Sequence, residues 1–190
     1  MDVSKVKVIG IEKIRLPEMV KISQNIPNIY IANIEKTIKE QIKKTKLNKR
    51  INKGSKVAIT VGSRGIDQLS KVIKIIASEV KKIGGKPFII PAMGSHGGAT
   101  AKGQEEVLRE LGITEENIGA PIISSMKVVK IGKTKSDLPV YVDENALLSD
   151  AIIVVNRVKV HTDFSGEIKN LIFNSSQLKK VEISLVFTFS

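Results

Sequence analysis

Residues 88–100 read Phe-Ile-Ile-Pro-Ala-Met-Gly-Ser-His-Gly-Gly-Ala-Thr, which is an apolar run followed by a glycine-rich turn. A helical pattern begins directly after this turn, near Ala101, and Thr100 is a residue type that caps helices. Glycine at positions 94, 97 and 98 permits positive φ angles and close approach to the backbone. The stretch therefore predicts a strand, a turn and a helix whose free N–H groups point into the turn, an arrangement that suits an anion.

His96 lies in the middle of this turn and is the candidate general acid or base. Imidazole is the side chain that changes charge near neutral pH, and proton transfer in catalysis needs such a group. In open α/β sheets, ligands bind in loops at the carboxyl ends of the strands. The alternative interpretation is that His96 only caps the turn.

A strand-helix-strand pattern comes before this turn. Residues 56–61 form a short β-branched run typical of a buried parallel strand, and residues 87–90 begin the next strand. Between them, apolar residues recur at threes and fours over residues 66–83, which predicts a helix. Parallel pairing places the turns 62–65 and 94–98 at the same edge of the sheet, so Arg64, Asp67 and His96 are expected to converge.

The remaining segments extend the same architecture. They predict one or two strands within residues 6–16, a helix from about Asn33, a hairpin from 126–131 and 138–142, and a parallel strand at 151–155. The predicted fold class is α/β, a Rossmann-like open, mostly parallel sheet with helices on both faces.

Composition limits the function classes. The chain has 190 residues, no cysteine and a formal net charge of +12. The absence of cysteine rules out disulfides and thiolate metal sites. Aromatic residues are only 4%, too few for stacking on bases, so the charge does not indicate dedicated nucleic-acid binding. No membrane span or secretory signal is visible in the sequence, and a cytoplasmic location is the default expectation.

Two histidine motifs carry a resemblance to a known family. The first is Gly-Ser-His-Gly-Gly-Ala-Thr at residues 94–100, and the second is Val-Lys-Val-His-Thr-Asp-Phe-Ser-Gly-Glu-Ile at residues 158–168. Together they resemble the N-terminal domain of the nickel-dependent lactate racemases and their relatives. The similarity covers most of the chain from about Lys56 to Lys169. It implies that residues 1–170 form a lactate racemase-like N-terminal α/β domain and that residues 171–190 are an atypical tail, truncated before a second domain.

The resemblance implies a racemase or epimerase domain acting on a 2-hydroxy acid. His96 and His161 would flank the substrate as the acid/base pair, and Lys169 would attach a nickel pincer nucleotide. Arg64 would hold the substrate carboxylate or a cofactor phosphate by a bidentate contact, and Asp67 would orient it. The better-known racemases instead have an Asp before an Arg in this turn. The residues assigned to the cofactor besides Lys169 are Gly94, Ser95, Gly97 and Gly98.

Two points leave the function open at this stage. The chain has only two histidines, so we assign it no metal ligand and expect the nickel ligand to lie outside this chain, possibly on a separate C-terminal half. On this basis the chain alone is expected to be inactive. The alternative function is a non-catalytic α/β module that binds a nucleotide or an acidic metabolite, or an inactive truncated fragment.

Overall fold

The central sheet contains the three runs for which the sequence predicts parallel pairing. The structure is a computed structural model that describes residues 19–23, 25, 31–63, 65–157 and 181–187, with the backbone alone for residues 157 and 181–187. Its strands are β1 (Lys56–Val61), β2 (Lys86–Pro91), β3 (Val128–Lys133), β4 (Pro139–Asp143), β5 (Ala151–Arg157) and β6 (Val181–Phe187). Four of them form a parallel sheet in the order β2-β1-β5-β6. The parallel pairing of the three predicted runs is therefore confirmed.

Within the described residues, five α-helices accompany these strands. They are α1 (Ile34–Lys44), α2 (Leu69–Lys82), α3 (Ala101–Glu110), α4 (Glu115–Ile118) and α5 (Glu144–Leu147). Helix α1 begins where the sequence predicts, because the side chain of Asn33 accepts a hydrogen bond from the Lys36 backbone N–H at 2.9 Å. Ile38 and Ile42 on its apolar face are buried.

Helix α2 is shorter than the predicted helix over residues 66–83. It begins at Leu69, because Gln68 adopts a left-handed backbone conformation with φ of 51°. The apolar spacing is otherwise reproduced, since Val72, Ile73, Ile76 and Val80 are all buried. The first three positions of the predicted helix belong to the turn after β1, which lengthens the loop at that edge of the sheet.

The core has two layers, one on each face of the sheet. On the first face, alternate residues of β1 such as Val57 and Ile59 pack among apolar residues from α1 to α4. On the second face, Ala58 and Phe88 pack with Ala146 of α5. The side chains of a strand alternate between faces, which explains why neighbouring β1 residues join different clusters. Helices on both faces and a parallel sheet confirm the open α/β fold.

Strands β3 and β4 form the predicted antiparallel hairpin, with a register irregularity between Lys130 and Gly132. Val142 of this hairpin packs against the second core cluster. The outer residues Val128 and Tyr141 are exposed.

The backbone of residues 181–187, which lie in the predicted atypical tail, forms strand β6 beside β5. The boundary near residue 170 stays a prediction. The strands predicted within residues 6–16 lie outside the described residues. None of the helices in the described ranges is both long and apolar enough to cross a bilayer.

Candidate functional site

The turns after β1 and β2 meet at the carboxyl edge of the sheet. Val61 pairs with Pro91 in the parallel register, so the two strands end side by side. The pairing continues one residue further, because the Ala92 N–H donates to the Val61 carbonyl at 2.8 Å. This backbone bond fixes the starting points of both turns relative to each other.

The two turns are also joined by a side-chain contact between Ser63 and His96. The Ser63 hydroxyl lies within hydrogen-bond distance of Nδ1 of His96, and both residues are half-buried. His96 begins a tight turn (His96–Ala99) that is not a regular helix, and its backbone N–H donates to the Met93 carbonyl at 3.3 Å. Ser63, in the turn after the neighbouring strand β1, therefore orients the imidazole. The contacts of His96 are not confined to its own turn.

The glycines of the His96 turn have different structural tasks. Gly94, Gly97 and Gly98 all have positive φ, between 61° and 65°. A Cβ atom on Gly94 or Gly98 would meet nothing within 4 Å, whereas one on Gly97 would lie 2.4 Å from the backbone of Gly103 in α3. The turn is therefore open at Gly94 and Gly98, and at Gly97 it packs against the first turn of α3.

Two side chains of the next helix segment hold the turn in place. The Thr100 hydroxyl accepts a hydrogen bond from the Gly103 N–H at 3.1 Å, which confirms the predicted N-cap. Gln104 is buried, and its side-chain amide donates to the Gly94 carbonyl at 2.8 Å. A buried amide that bonds the backbone of the turn restricts the turn's conformation.

The other predicted site residues fall into two groups. Ser95 and Asp67 are exposed at the carboxyl edge, and the Asp67 carboxylate accepts a hydrogen bond of 3.5 Å from the Gln68 side chain. Arg64, His161 and Lys169 lie outside the described residues. The convergence of Arg64 and Asp67 with His96 therefore stays a prediction, as does the placement of His161 and Lys169.

Ser63 belongs to the candidate site through its contact with His96, and the sequence analysis did not single it out. It stands between Gly62 and Arg64 in the turn after β1, and the parallel pairing of β1 with β2 carries it to the same edge as His96. The sequence signal that could have identified Ser63 is a hydroxyl side chain in the turn after β1, the strand that pairs with β2, which His96 follows.

Metal and cavity geometry add two observations. Within the described ranges, no group of three or more His, Asp or Glu side chains is arranged to hold a metal ion.

A cavity of about 590 Å³ lies at the opposite, amino edge of the sheet, where Lys56, Lys86 and Phe88 line it. None of the candidate site residues lines it, and the carboxyl-edge turns remain the candidate site because of the chemistry of their side chains.

These features define a class of protein. The chain is an open α/β protein in which two neighbouring turns, one of them carrying a histidine, meet at the carboxyl edge of a parallel sheet, which is the edge where such folds generally bind ligands. The chain belongs to the lactate racemase N-terminal domain family, which matches residues 7–182. The family resemblance drawn from the two histidine motifs is thereby confirmed. No curated protein matches the chain.

Proposed function

We propose that this chain supplies acid/base residues for the racemisation or epimerisation of a lactate-like 2-hydroxy acid. The observation that supports the proposal is the position of His96, which lies at the carboxyl edge of the sheet in contact with Ser63 from the adjacent turn. A histidine that lies in one turn at this edge and is contacted by a side chain from the neighbouring turn is suited to proton transfer. Membership of the lactate racemase N-terminal domain family supports the reaction class.

The reaction needs a hydride acceptor because the α-hydrogen of a 2-hydroxy acid is too weakly acidic for imidazole to remove as a proton. The nickel pincer nucleotide that the resemblance implies supplies this acceptor when bound. We assign its attachment to Lys169 and its contacts to the turn at residues 94–98. The open space at Gly94 and Gly98 fits a bound group that approaches the backbone closely.

In this proposal, His96 takes the hydroxyl proton as the α-hydrogen leaves the carbon as hydride, which yields a 2-keto acid. His161 performs the same proton transfer for the other enantiomer from the opposite side of the carbon. Arg64 holds the substrate carboxylate, since a guanidinium can bind it by two parallel hydrogen bonds, and Asp67 orients the guanidinium.

We further propose that a second domain, on the same or a separate polypeptide, completes the site and provides the nickel ligand. The described residues offer no such ligand set, and the whole chain has only two histidines and no cysteine. The expected location is the cytoplasm. We expect turnover only when that second domain is present.

The test is to co-produce the chain with cofactor-synthesis enzymes and a family C-terminal domain. Nickel content and intact mass would reveal a covalent adduct, which Lys169→Ala should remove. Chiral chromatography with D-lactate, L-lactate and other 2-hydroxy acids would measure racemisation. His96→Ala and His161→Ala should each abolish it, whereas Lys102→Ala on the exposed side of α3 should not.

Running the reaction in D₂O distinguishes hydride transfer from removal of the α-hydrogen as a proton. Transfer of the α-hydrogen as hydride predicts a product without deuterium at the α-carbon, whereas deuterium incorporation would contradict hydride transfer. If a 2-hydroxy acid binds, no turnover occurs and His96→Ala binds it equally well, the chain is a non-catalytic ligand-binding module.

A further inference from the structure

We infer that Ser63 is a positioning residue that accepts the Nδ1–H hydrogen bond of His96 and thereby makes Nε2 the nitrogen that exchanges the substrate proton. This inference rests on the proposed function for its catalytic meaning. The tautomer it predicts is a property of the protein alone. It adds to the site a residue from the β1 turn whose hydroxyl contacts the imidazole.

The backbone fixes Ser63 and His96 relative to each other. Ser63 stands two residues after Val61, whose carbonyl accepts the Ala92 N–H at 2.8 Å, and His96 stands four residues after Ala92. The His96 turn is held on its other side by the Gln104 bond to Gly94 and by the contact of Gly97 with Gly103. The hydroxyl and the imidazole are thus presented by two anchored turns.

The proposed general-base role of His96 determines which atom donates the hydrogen bond between Ser63 and Nδ1. A general base needs a lone pair on the nitrogen facing the substrate, and after it takes the proton both ring nitrogens carry hydrogen. With Nδ1–H donating to the Ser63 oxygen, the same hydrogen bond persists in the neutral and the protonated ring. A serine hydroxyl that donated to Nδ1 would lose its acceptor when the ring became protonated. When Ser63 accepts the Nδ1–H hydrogen bond, that bond is therefore kept both before and after the imidazole takes the substrate proton.

The contact also has a different chemical interpretation, in which His96 activates Ser63 as a nucleophile. That role would require the serine hydroxyl to donate its proton to Nδ1. The two interpretations assign opposite directions to one hydrogen bond. The protonation of Nδ1 in the neutral ring distinguishes them.

Nitrogen NMR of ¹⁵N-histidine-labelled full-length protein tests the inference without cofactor or substrate. The chain has two histidines, so His161→Gln leaves His96 as the only labelled imidazole ring. In this background we expect the neutral ring to carry hydrogen on Nδ1. Ser63→Ala should shift the population toward Nε2–H, the tautomer that free imidazole side chains favour. Ser63→Thr should restore Nδ1–H. Ser70→Ala should change nothing, because the Ser70 hydroxyl donates to the Gly112 carbonyl.

A neutral His96 with hydrogen on Nε2, or a tautomer unaffected by Ser63→Ala, would overturn the inference. Covalent labelling of Ser63 by a fluorophosphonate would also overturn it, because it would identify Ser63 as a nucleophile.

In the two-domain enzyme loaded with cofactor, Ser63→Ala should lower kcat by at least about 10-fold with little change in KM, and should shift the pH profile of kcat. A confirmed tautomer with no 2-hydroxy acid turnover in the wild type would contradict the proposed function and leave the positioning role of Ser63 standing.

Discussion

The backbones of Gly97 and Gly103 pack directly against each other: a Cβ atom on Gly103 would lie 2.0 Å from the Gly97 carbonyl oxygen. This contact joins the His96 turn to the first turn of α3. Neither glycine can gain a side chain without moving the other segment. The glycine-rich sequence therefore serves the rigidity of the turn as well as its access to a ligand.

Gly97→Ala should destabilise the fold more than Gly98→Ala. Both positions have left-handed backbones with nearly equal φ, 64° and 65°, so the intrinsic cost of alanine, about 1–2 kcal/mol, applies to both. At Gly97 a Cβ atom also overlaps backbone atoms of α3, whereas at Gly98 it enters open space. Urea unfolding would measure the difference, and overpacking predicts an additional loss of about 1–3 kcal/mol for Gly97→Ala. Equal losses would mean that the contact does not restrain the turn.

Gln104→Leu should loosen the His96 turn. It removes the donor of a buried hydrogen bond to the Gly94 carbonyl, which contributes about 1 kcal/mol to the free energy of unfolding. The matched control is Gln41→Leu, because Gln41 is exposed on α1. Urea unfolding and the amide hydrogen exchange of residues 94–98 would measure the effect. Faster exchange in both variants would argue against a specific role for Gln104.

The pKa of Glu116 should lie below the usual value of a glutamate. Hydrogen bonds from its own backbone N–H and from the Thr114 hydroxyl stabilise the carboxylate, and Arg109 adds a smaller attraction. A folded-state pKa below the unfolded-state pKa means that this stabilisation is present at higher pH. It is lost as the pH falls through the folded pKa.

Carbon NMR titration of the Glu116 carboxyl group would measure that pKa directly. Thr114→Ala should raise the midpoint toward the usual value, and Thr114→Ser, which keeps the hydroxyl, should leave it low. A Glu116 midpoint unaffected by Thr114→Ala would remove the hydroxyl as a cause.

The sequence predicted the parts of the fold that depend on local periodicity. The apolar spacing of α2 and the β-branched run of β1 were sufficient to predict the strand-helix-strand unit and its parallel pairing. The start of α2 was not predictable in this way, because Ile66 continues the apolar pattern while Gln68 leaves the helical conformation.

The candidate site shows the same division between local and long-range information. His96 and the Thr100 cap were predicted because each lies in a short motif with its own chemistry. The contact of Ser63 with His96 joins residues 33 positions apart, and the bond of Gln104 to Gly94 requires a buried amide that no periodicity indicates. Both depend on how two turns pack, and spacing along the chain does not encode that packing.

The last prediction concerns the distance between His96 and His161. If both rings serve opposite sides of one substrate carbon, a small hydroxy acid bridged by two hydrogen bonds of about 3 Å requires the rings to be roughly 6–10 Å apart. The chain has no cysteine, so His96→Cys/His161→Cys introduces the only thiols and can be cross-linked with short bis-thiol reagents. Cross-linking should be efficient with a short reagent.

Two further cysteine pairs calibrate that experiment. Ser63→Cys/His96→Cys replaces side chains already in contact and should cross-link with the shortest reagents. Lys56→Cys/His96→Cys places thiols at opposite edges of the sheet, because Lys56 begins β1 whereas His96 follows the end of β2, and it should not react with short reagents. A His96/His161 pair that behaves like the Lys56 pair would place the two imidazoles too far apart for one substrate. The two-histidine mechanism would then fail for this chain, even with His96 correctly oriented by Ser63.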